Sequence, residues 1–73
     1  MNKEILEIKT PFIRLDAALK LSGVAETGGH AKLLVQDGII RVNDEICVQR
    51  GKKLHNGDTF SIDDYEFQVV AKW

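Results

Sequence analysis

The sequence has little of what stabilises small secreted proteins or anchors membrane proteins: it contains one cysteine, one proline and no long apolar run. Cys47 alone cannot form an internal disulfide, so the chain is not a disulfide scaffold. A membrane-spanning helix needs about 20 apolar residues, far more than any run here. The first residues show no signal-peptide pattern. We therefore expect a soluble cytoplasmic protein that makes no membrane contact.

Aromatic residues are also scarce. A chain of 73 residues has room for only one domain, which spans residues 1–73. A domain of this size buries only about 60% of its unfolded surface, so its core is small. That core must consist mainly of Leu, Ile and Val side chains. We expect the domain to be a monomer.

An excess of positive charge is missing as well. The net charge is −1, whereas domains that bind nucleic acids are usually basic. However, Gln49 to His55 contains three cations and no acid, and Asp58 to Glu66 contains four acids and no cation. This distribution predicts a polarised surface. The alternative is that both segments are ordinary solvated loops.

A first short helix is predicted to begin at Thr10-Pro11, because Thr is a good N-cap and Pro suits the first helical position. Asp16 and Lys20 are four residues apart, which favours an ion pair on the helix surface. Gly23 suits the position just past the helix C-terminus. The expected core face is formed by Phe12, Leu15, Ala18, Leu19 and Ser22.

A second short helix is predicted from Thr27, whose hydroxyl can cap the amide of Gly29 or His30. Gly38 is expected to end it. Leu33 falls almost opposite the apolar stripe and is expected to be exposed or to face a partner. The stripe itself consists of Ala31, Leu34 and Val35.

Strands are predicted from β-branched and alternating residues around two turns, Asn43-Asp44 and Asp63-Asp64. A further turn is expected at Asn56-Gly57-Asp58, and Glu4 to Lys9 suggests a strand or an extended arm. The register of the first hairpin is open, so either Ile39 or Ile40 can face the core. The predicted order is β-α-α-β-β-β-β. This is an α+β domain with two short packed helices against a small, mainly antiparallel sheet.

The central stretch resembles a known family, the alpha-L or S-four type RNA-binding domain. The matching residues are Arg14-Leu15-Asp16, Leu19, Gly23, Ala31, Leu34, Gly38, Val42-Asn43 and Gly57-Asp58. The Lys52-Lys53-Leu54 stretch and the absence of other domains make the chain similar to small stand-alone YaaA-like members. The resemblance implies binding to structured RNA, typically ribosomal or transfer RNA, and a role on or around the ribosome.

Two positions depart from the family pattern. The family usually has an arginine that contacts RNA where this chain has Gly28, and it usually has a glycine where this chain has Asp44. The Gly28-Gly29 pair removes a cation but leaves the backbone amides unobstructed at a helix N-terminus, where they can bind a phosphate.

Ten residues are candidates for RNA contact: Arg14, Thr27, Gly28, Gly29, His30, Lys32, Asn43, Arg50, Lys52 and Lys53. Lys52 and Lys53 are the strongest, because no acid neighbours them in sequence. Arg14 suits a phosphate or a structural ion pair equally well. His30 can contact a base, or it can be exposed to solvent without a role. The preference of asparagine for turns is enough to explain the presence of Asn43.

No catalytic constellation, cofactor motif or metal-ligand spacing is evident, and we expect no small-molecule substrate. Asp63-Asp64 occupies a turn where both acids face water. Cys47 is expected inside a strand as a small buried side chain. Tyr65 and Trp73 suit stacking on bases; the alternative, which is preferred for Tyr65, is that Tyr65 packs at a strand end and that Trp73 covers a sheet edge.

The leading hypothesis is thus a non-catalytic RNA-binding module that contacts backbone phosphates. One alternative is a protein-interaction adapter that uses Leu33 and the acidic hairpin, which is the segment from Asp58 to Glu66. Another is a DNA-binding helix-turn-helix, which Gly28, Gly29 and His30 disfavour because they stand where base-reading side chains are needed.

Overall fold

The computed structural model describes residues 2–73, and within them it contains two helices and seven strands. The helices are α1 (Leu15–Leu21) and α2 (Gly28–Gln36). The strands are β1 (Asn2–Ile8), β2 (Phe12–Arg14), β3 (Arg41–Val42), β4 (Glu45–Ile46), β5 (Lys53–His55), β6 (Thr59–Ile62) and β7 (Tyr65–Ala71).

Five of the strands form one sheet in the order β1-β7-β6-β3-β4. β1 runs parallel to β7, and the other pairs are antiparallel. The remaining strands, β2 and β5, form a separate antiparallel ribbon. The α+β prediction, with two helices and a mainly antiparallel sheet, is confirmed. The predicted order lacked β2 and β5, since each is only three residues long and pairs only with the other.

The predicted start of the first helix is wrong. α1 begins at Leu15, and Arg14 occupies the N-cap position with extended backbone angles. Residues 12–14 instead pair with residues 53–55. The Thr10 hydroxyl donates a hydrogen bond to the Phe12 carbonyl at 2.8 Å and caps no helix. A strand pairing between distant segments therefore overrides the local capping preference of Thr10-Pro11.

The other helix boundaries agree with the predictions. Thr27 is the N-cap of α2, and its hydroxyl accepts a hydrogen bond from the His30 amide at 3.0 Å. Gly23 and Gly38 follow the helix ends with positive φ angles of 85° and 71°, which is the backbone conformation that favours glycine there. Leu33 is exposed, as expected.

The core lies where the helix pair meets the sheet and the ribbon. Its members without solvent exposure include Leu15 and Leu19 of α1, Val35 of α2 and Leu54 of the ribbon. The sheet contributes Phe60, whose ring stacks on that of Phe67 at a centroid distance of 5.0 Å. No helix within residues 2–73 is long and apolar enough to cross a membrane.

The hairpin at Asn43-Asp44 forms as predicted. Both residues have positive φ, 51° and 70°, as a two-residue hairpin turn of the primed type requires. The register, which the sequence left open, pairs Val42 with Glu45. Ile40 is fully buried and Ile39 is exposed, so Ile40 faces the core.

Three predictions about single side chains are wrong. Cys47 lies one residue beyond β4 and is only half-buried. Tyr65 is 49% exposed because it lies next to the turn of the β6–β7 hairpin. Trp73 follows the last paired residue of β7, Ala71, and its ring is exposed rather than packed on the sheet edge.

Candidate nucleic-acid interface

The β2–β5 ribbon places two candidate cations side by side. In its register Arg14 lies directly opposite Lys53, and Ile13 lies opposite Leu54. Side chains alternate between the two faces of a strand. Leu54 is fully buried and Ile13 packs against the core. Arg14 and Lys53 therefore project from the outer face, and both are exposed.

The loop before β5 is tied to the start of α1 by its backbone. The Leu15 amide donates to the Lys52 carbonyl at 2.8 Å, and the Asp16 amide donates to the Arg50 carbonyl at 2.9 Å. These amides belong to the first turn of the helix, which has no intrahelical partners for them. The loop thus caps α1 and is held next to Arg14.

Arg14 has one acidic neighbour. Its guanidinium lies 3.3 Å from an Asp16 carboxylate oxygen, and its side chain remains 54% exposed. A surface pair of this kind contributes only about 0–1 kcal/mol and leaves the cation accessible. The predicted Asp16–Lys20 ion pair is not formed; the second Asp16 oxygen instead accepts from the Ala17 amide.

A shallow depression of about 260 Å³ lies between Arg14 and the start of α2. It is lined by Arg14, Asp16, Ala17, Lys20 and Gly28. Lys20 was missed as a candidate because the sequence paired it with Asp16. It lies one helical turn beyond Asp16, on the same face of α1, and only the folded structure shows that this face borders Arg14.

The start of α2 is open toward solvent. A Cβ atom added at Gly28 would meet no atom within 4 Å, and one at Gly29 would meet only the Thr27 hydroxyl at 3.9 Å. Neither glycine is therefore required by packing. The Thr27 hydroxyl accepts from His30 alone, so within residues 2–73 the Gly28 and Gly29 amides are left as unpaired donors.

His30 and Lys32 flank this open helix start. The Nδ1 atom of His30 accepts a hydrogen bond from the Glu26 amide at 3.2 Å, which leaves Nε2 as the outward-facing nitrogen. Lys32 is exposed. It lies one turn beyond Gly28 on the same helix face, so it extends the surface that contains the depression.

Asn43 is occupied by contacts within the protein. Its side-chain oxygen accepts from the Thr59 amide at 3.0 Å, and its side-chain nitrogen donates to Asp58 at 3.2 Å. It lines a second depression of about 380 Å³ together with Lys52 and the carboxylate residue Glu45. These contacts favour the structural role of Asn43.

Three of the ion pairs lie along β1 and β7. Lys3 lies 3.8 Å from Glu66, and Lys9 and Lys72 lie 4.0 and 3.8 Å from Glu7. These residues belong to β1, to β7 or to the residues next to them. Within residues 2–73, no carboxylate lies within ion-pair distance of Lys20, Lys32, Arg41, Arg50, Lys52 or Lys53.

The structure brings four of the ten predicted residues next to one another, Arg14, Arg50, Lys52 and Lys53, with Gly28 at their border. The other five lie at the start of α2 or in the β3–β4 turn: Thr27, Gly29, His30, Lys32 and Asn43.

We give the name basic cluster to five cations whose backbones lie close together, with Gly28 at the border: Arg14, Lys20, Arg50, Lys52 and Lys53. Lys53 pairs with Arg14 across the ribbon, and Lys20 shares the depression with Arg14. The carbonyls of Arg50 and Lys52 cap the start of α1. No group of three or more His, Cys, Asp or Glu side chains within the described residues is placed to hold a metal ion. Of the exposed cations in the basic cluster, only Arg14 has a carboxylate within ion-pair distance among the described residues, and exposed cations of this kind are suited to contact a polyanion.

Comparison with known proteins agrees with this geometry. Residues 6–70 match the S4 domain family. The chain is 41% identical over 66 residues to a Bacillus subtilis (strain 168) protein named "Probable ribosome maturation protein RlbA", covering 89% of this chain and 93% of that relative. It is 33% identical over 63 residues to an Escherichia coli (strain K12) protein named "Putative RNA-binding protein YbcJ", covering 86% of this chain and 90% of that relative. The chain belongs to the S4 domain family.

Proposed function

We propose that this chain is a non-catalytic RNA-binding protein that contacts the backbone phosphates of structured RNA, either ribosomal or transfer RNA. The observation that supports it most directly is the basic cluster, in which a backbone-tethered loop and a ribbon gather cations from distant parts of the sequence. The names of the RlbA and YbcJ relatives, which refer to ribosome maturation and RNA binding, support the same function and a place near the ribosome.

The chemistry of the cluster suits phosphate better than base edges. An arginine fork can contact a phosphate through two parallel hydrogen bonds, whereas lysines act as point charges. The deep, narrow major groove of A-form RNA excludes side chains, so proteins recognise paired RNA mainly by its shape and phosphate positions. The open amides of Gly28 and Gly29 would add donors at the border of the same surface.

The distribution of ion pairs explains how a chain with a net charge of −1 can bind a polyanion. The cations beside β1 and β7 already face carboxylates, so these cations should attract RNA weakly. The basic cluster has only Asp16 within ion-pair distance of any of its cations. The cluster thus contains four of the six cations that have no carboxylate within ion-pair distance in residues 2–73, and Lys32 and Arg41 lie outside it.

Charge reversal tests the proposal. Replacing Lys52→Glu together with Lys53→Glu should lower the affinity for purified transfer RNA and for a short RNA hairpin. It should also reduce the slope of log affinity against log salt concentration by about 1 for each phosphate that the variant no longer neutralises. Fluorescence anisotropy at several salt concentrations measures both quantities.

The matched control reverses Lys3 and Lys72, which are also exposed but paired with carboxylates. Binding that is unchanged in the Lys52/Lys53 variant, or that falls equally in the control, would contradict the proposed surface. A duplex DNA of similar length tests the alternative of a DNA-binding helix-turn-helix in the same experiment.

One observation favours a second candidate, the protein-interaction adapter. Leu33, on α2, is 59% exposed, and it is a large apolar side chain with no partner in the core. Affinity purification with and without ribonuclease separates the two functions. Partners that bind through RNA should disappear after the treatment, whereas partners of an adapter should remain.

A further inference from the structure

The outer face of the β2–β5 ribbon combines aromatic rings with cations. Because Ile13 and Leu54 point into the core, the alternation of side chains leaves Phe12 and Arg14 of β2 on the other face, together with Lys53 and His55 of β5. All of these outer residues are exposed. We call this surface, formed by Phe12, Arg14, Lys53 and His55, the ribbon face.

The rings and the cation of the ribbon face lie close together. The ring centroids of Phe12 and His55 are 5.9 Å apart with an interplanar angle of 46°. The Lys53 ammonium lies 4.9 Å from the centroid of the Phe12 ring. Asp58 fixes the position of His55, since its carboxylate accepts from the His55 amide at 2.7 Å and lies 3.8 Å from Nδ1.

Phe12 packs against its ribbon neighbours His55 and Lys53 rather than in the core. Phe12 is 38% exposed and is not part of the buried core cluster, whereas its neighbour Ile13 packs against that cluster. The ribbon needs an apolar residue at position 13, facing inward, but not at position 12. The part of Phe12 that remains exposed can contact a ligand, and the nearby cations determine which ligand chemistry suits it.

We propose that the ribbon face binds an unpaired nucleobase of RNA, stacked on Phe12 and bordered by His55. This rests on the proposed function and adds a base-contacting site to the phosphate-contacting basic cluster. Unpaired bases stack on aromatic side chains in many RNA complexes, whereas bases in a duplex cannot. Arg14 and Lys53 belong to both surfaces, so a phosphate beside the base lies within reach of their charges.

The position of Lys53 is consistent with this site. Without RNA its ammonium interacts with the Phe12 ring as a cation with a π-system. The side chain is flexible and exposed, so the ammonium can move from the ring to the phosphate when a base takes its place. The charges of Arg14 and Lys53 favour a polyanion over an apolar peptide as the occupant.

A double-mutant cycle tests the site. Two RNA hairpins have the same stem, one with an ordinary unpaired loop and one in which every loop nucleotide is abasic. Phe12→Leu should weaken binding of the ordinary hairpin by roughly tenfold, as expected for the loss of one base–aromatic stack. It should weaken binding of the abasic hairpin by about twofold or less, because no base is present to stack.

Two further variants separate stacking from other effects. Phe12→Tyr keeps an aromatic ring and should bind both hairpins as the wild type does. Tyr65→Leu removes an exposed ring from the acidic hairpin, which is outside the ribbon face, and should change neither affinity. Urea denaturation of each variant shows whether a change in affinity comes from a change in folding.

The possible outcomes distinguish this inference from the proposed function. If the wild-type protein binds both hairpins and Phe12→Leu affects them equally or not at all, the base site is refuted while RNA binding stands. If the wild type binds neither hairpin nor transfer RNA, both the proposed function and the base site are refuted. A tenfold loss confined to the hairpin with loop bases supports the base site.

Discussion

Asn43 illustrates how one side chain can satisfy both a turn and a long-range contact. Its φ of 51° is unusual for a non-glycine residue but tolerated by asparagine. Its amide group also bridges to Asp58 and to the backbone of Thr59, fifteen and sixteen residues away. The family resemblance placed Asn43 at a potential RNA contact, and the geometry explains its presence by the fold.

Replacing Asn43 with alanine should lower the free energy of unfolding by about 1–3 kcal/mol. One part of this cost is the missing hydrogen bond to the Thr59 amide, and the other is the positive φ that alanine adopts poorly. Asn43→Gly is the matched control, because glycine accepts the φ angle and loses only the hydrogen bonds. Urea denaturation should therefore rank the stabilities as wild type, then glycine, then alanine. Equal stability of the alanine variant and the wild type would contradict this role.

At the scale of elements, the start of α2 offers a place to strengthen the proposed site. Gly28 lines the depression with Arg14 and Lys20, and a larger side chain there meets open space. The family resemblance implies an arginine at this position. The fold therefore does not require the glycine, and its replacement should act on binding rather than on folding.

Gly28→Arg should raise the affinity for transfer RNA severalfold. It should also steepen the slope of log affinity against log salt concentration by about 1, the value for one added phosphate contact. The free energy of unfolding should stay within about 0.5 kcal/mol, as is usual for surface substitutions. Gly29→Arg adds the same charge one position further along the helix, outside the depression. It should raise the affinity less, and an equal effect of both variants would indicate a nonspecific effect of net charge.

The first helix marks the limit of prediction for an element. Thr10-Pro11 has the local chemistry of a helix start, yet Phe12 to Arg14 form a strand because β5 supplies hydrogen-bonding partners for them. The amides of Leu15 and Asp16 are then capped by carbonyls more than thirty residues away. A window of neighbouring residues does not contain this information. The boundaries of α2 depend on local features, the capping hydroxyl of Thr27 and the positive φ of Gly38, and there the prediction agrees with the structure.

At the scale of the whole molecule, Leu54 connects the ribbon to the core. It is fully buried and lies between Lys53 and His55, which project outward on the ribbon face. Packing of this one side chain therefore fixes the position of residues proposed to contact RNA. In a domain with a small core, few other contacts can compensate for its loss.

Leu54→Ala should lower the free energy of unfolding by about 2–5 kcal/mol, the usual cost of a cavity at a buried leucine. The free energy of unfolding of a domain of this size is only about 4–11 kcal/mol. A measurable fraction of the alanine variant should therefore unfold on mild heating, and its RNA affinity should fall accordingly. Leu54→Met nearly conserves the volume and should cost less than about 1.5 kcal/mol. Circular dichroism during thermal unfolding measures both variants, and a stable alanine variant would show that the ribbon is not anchored by Leu54.

The sequence by itself determined the fold class, the second helix, both helix-ending glycines and the hairpin at Asn43-Asp44. These features depend on neighbouring residues, through capping, backbone preference at positive φ and apolar periodicity. Only the tertiary structure decided which cations lie together, that Lys20 belongs with Arg14, and that Phe12 lies exposed beside Lys53 and His55. The physical reason is that the ribbon and the capped start of α1 join segments about forty residues apart, and no local preference encodes that pairing.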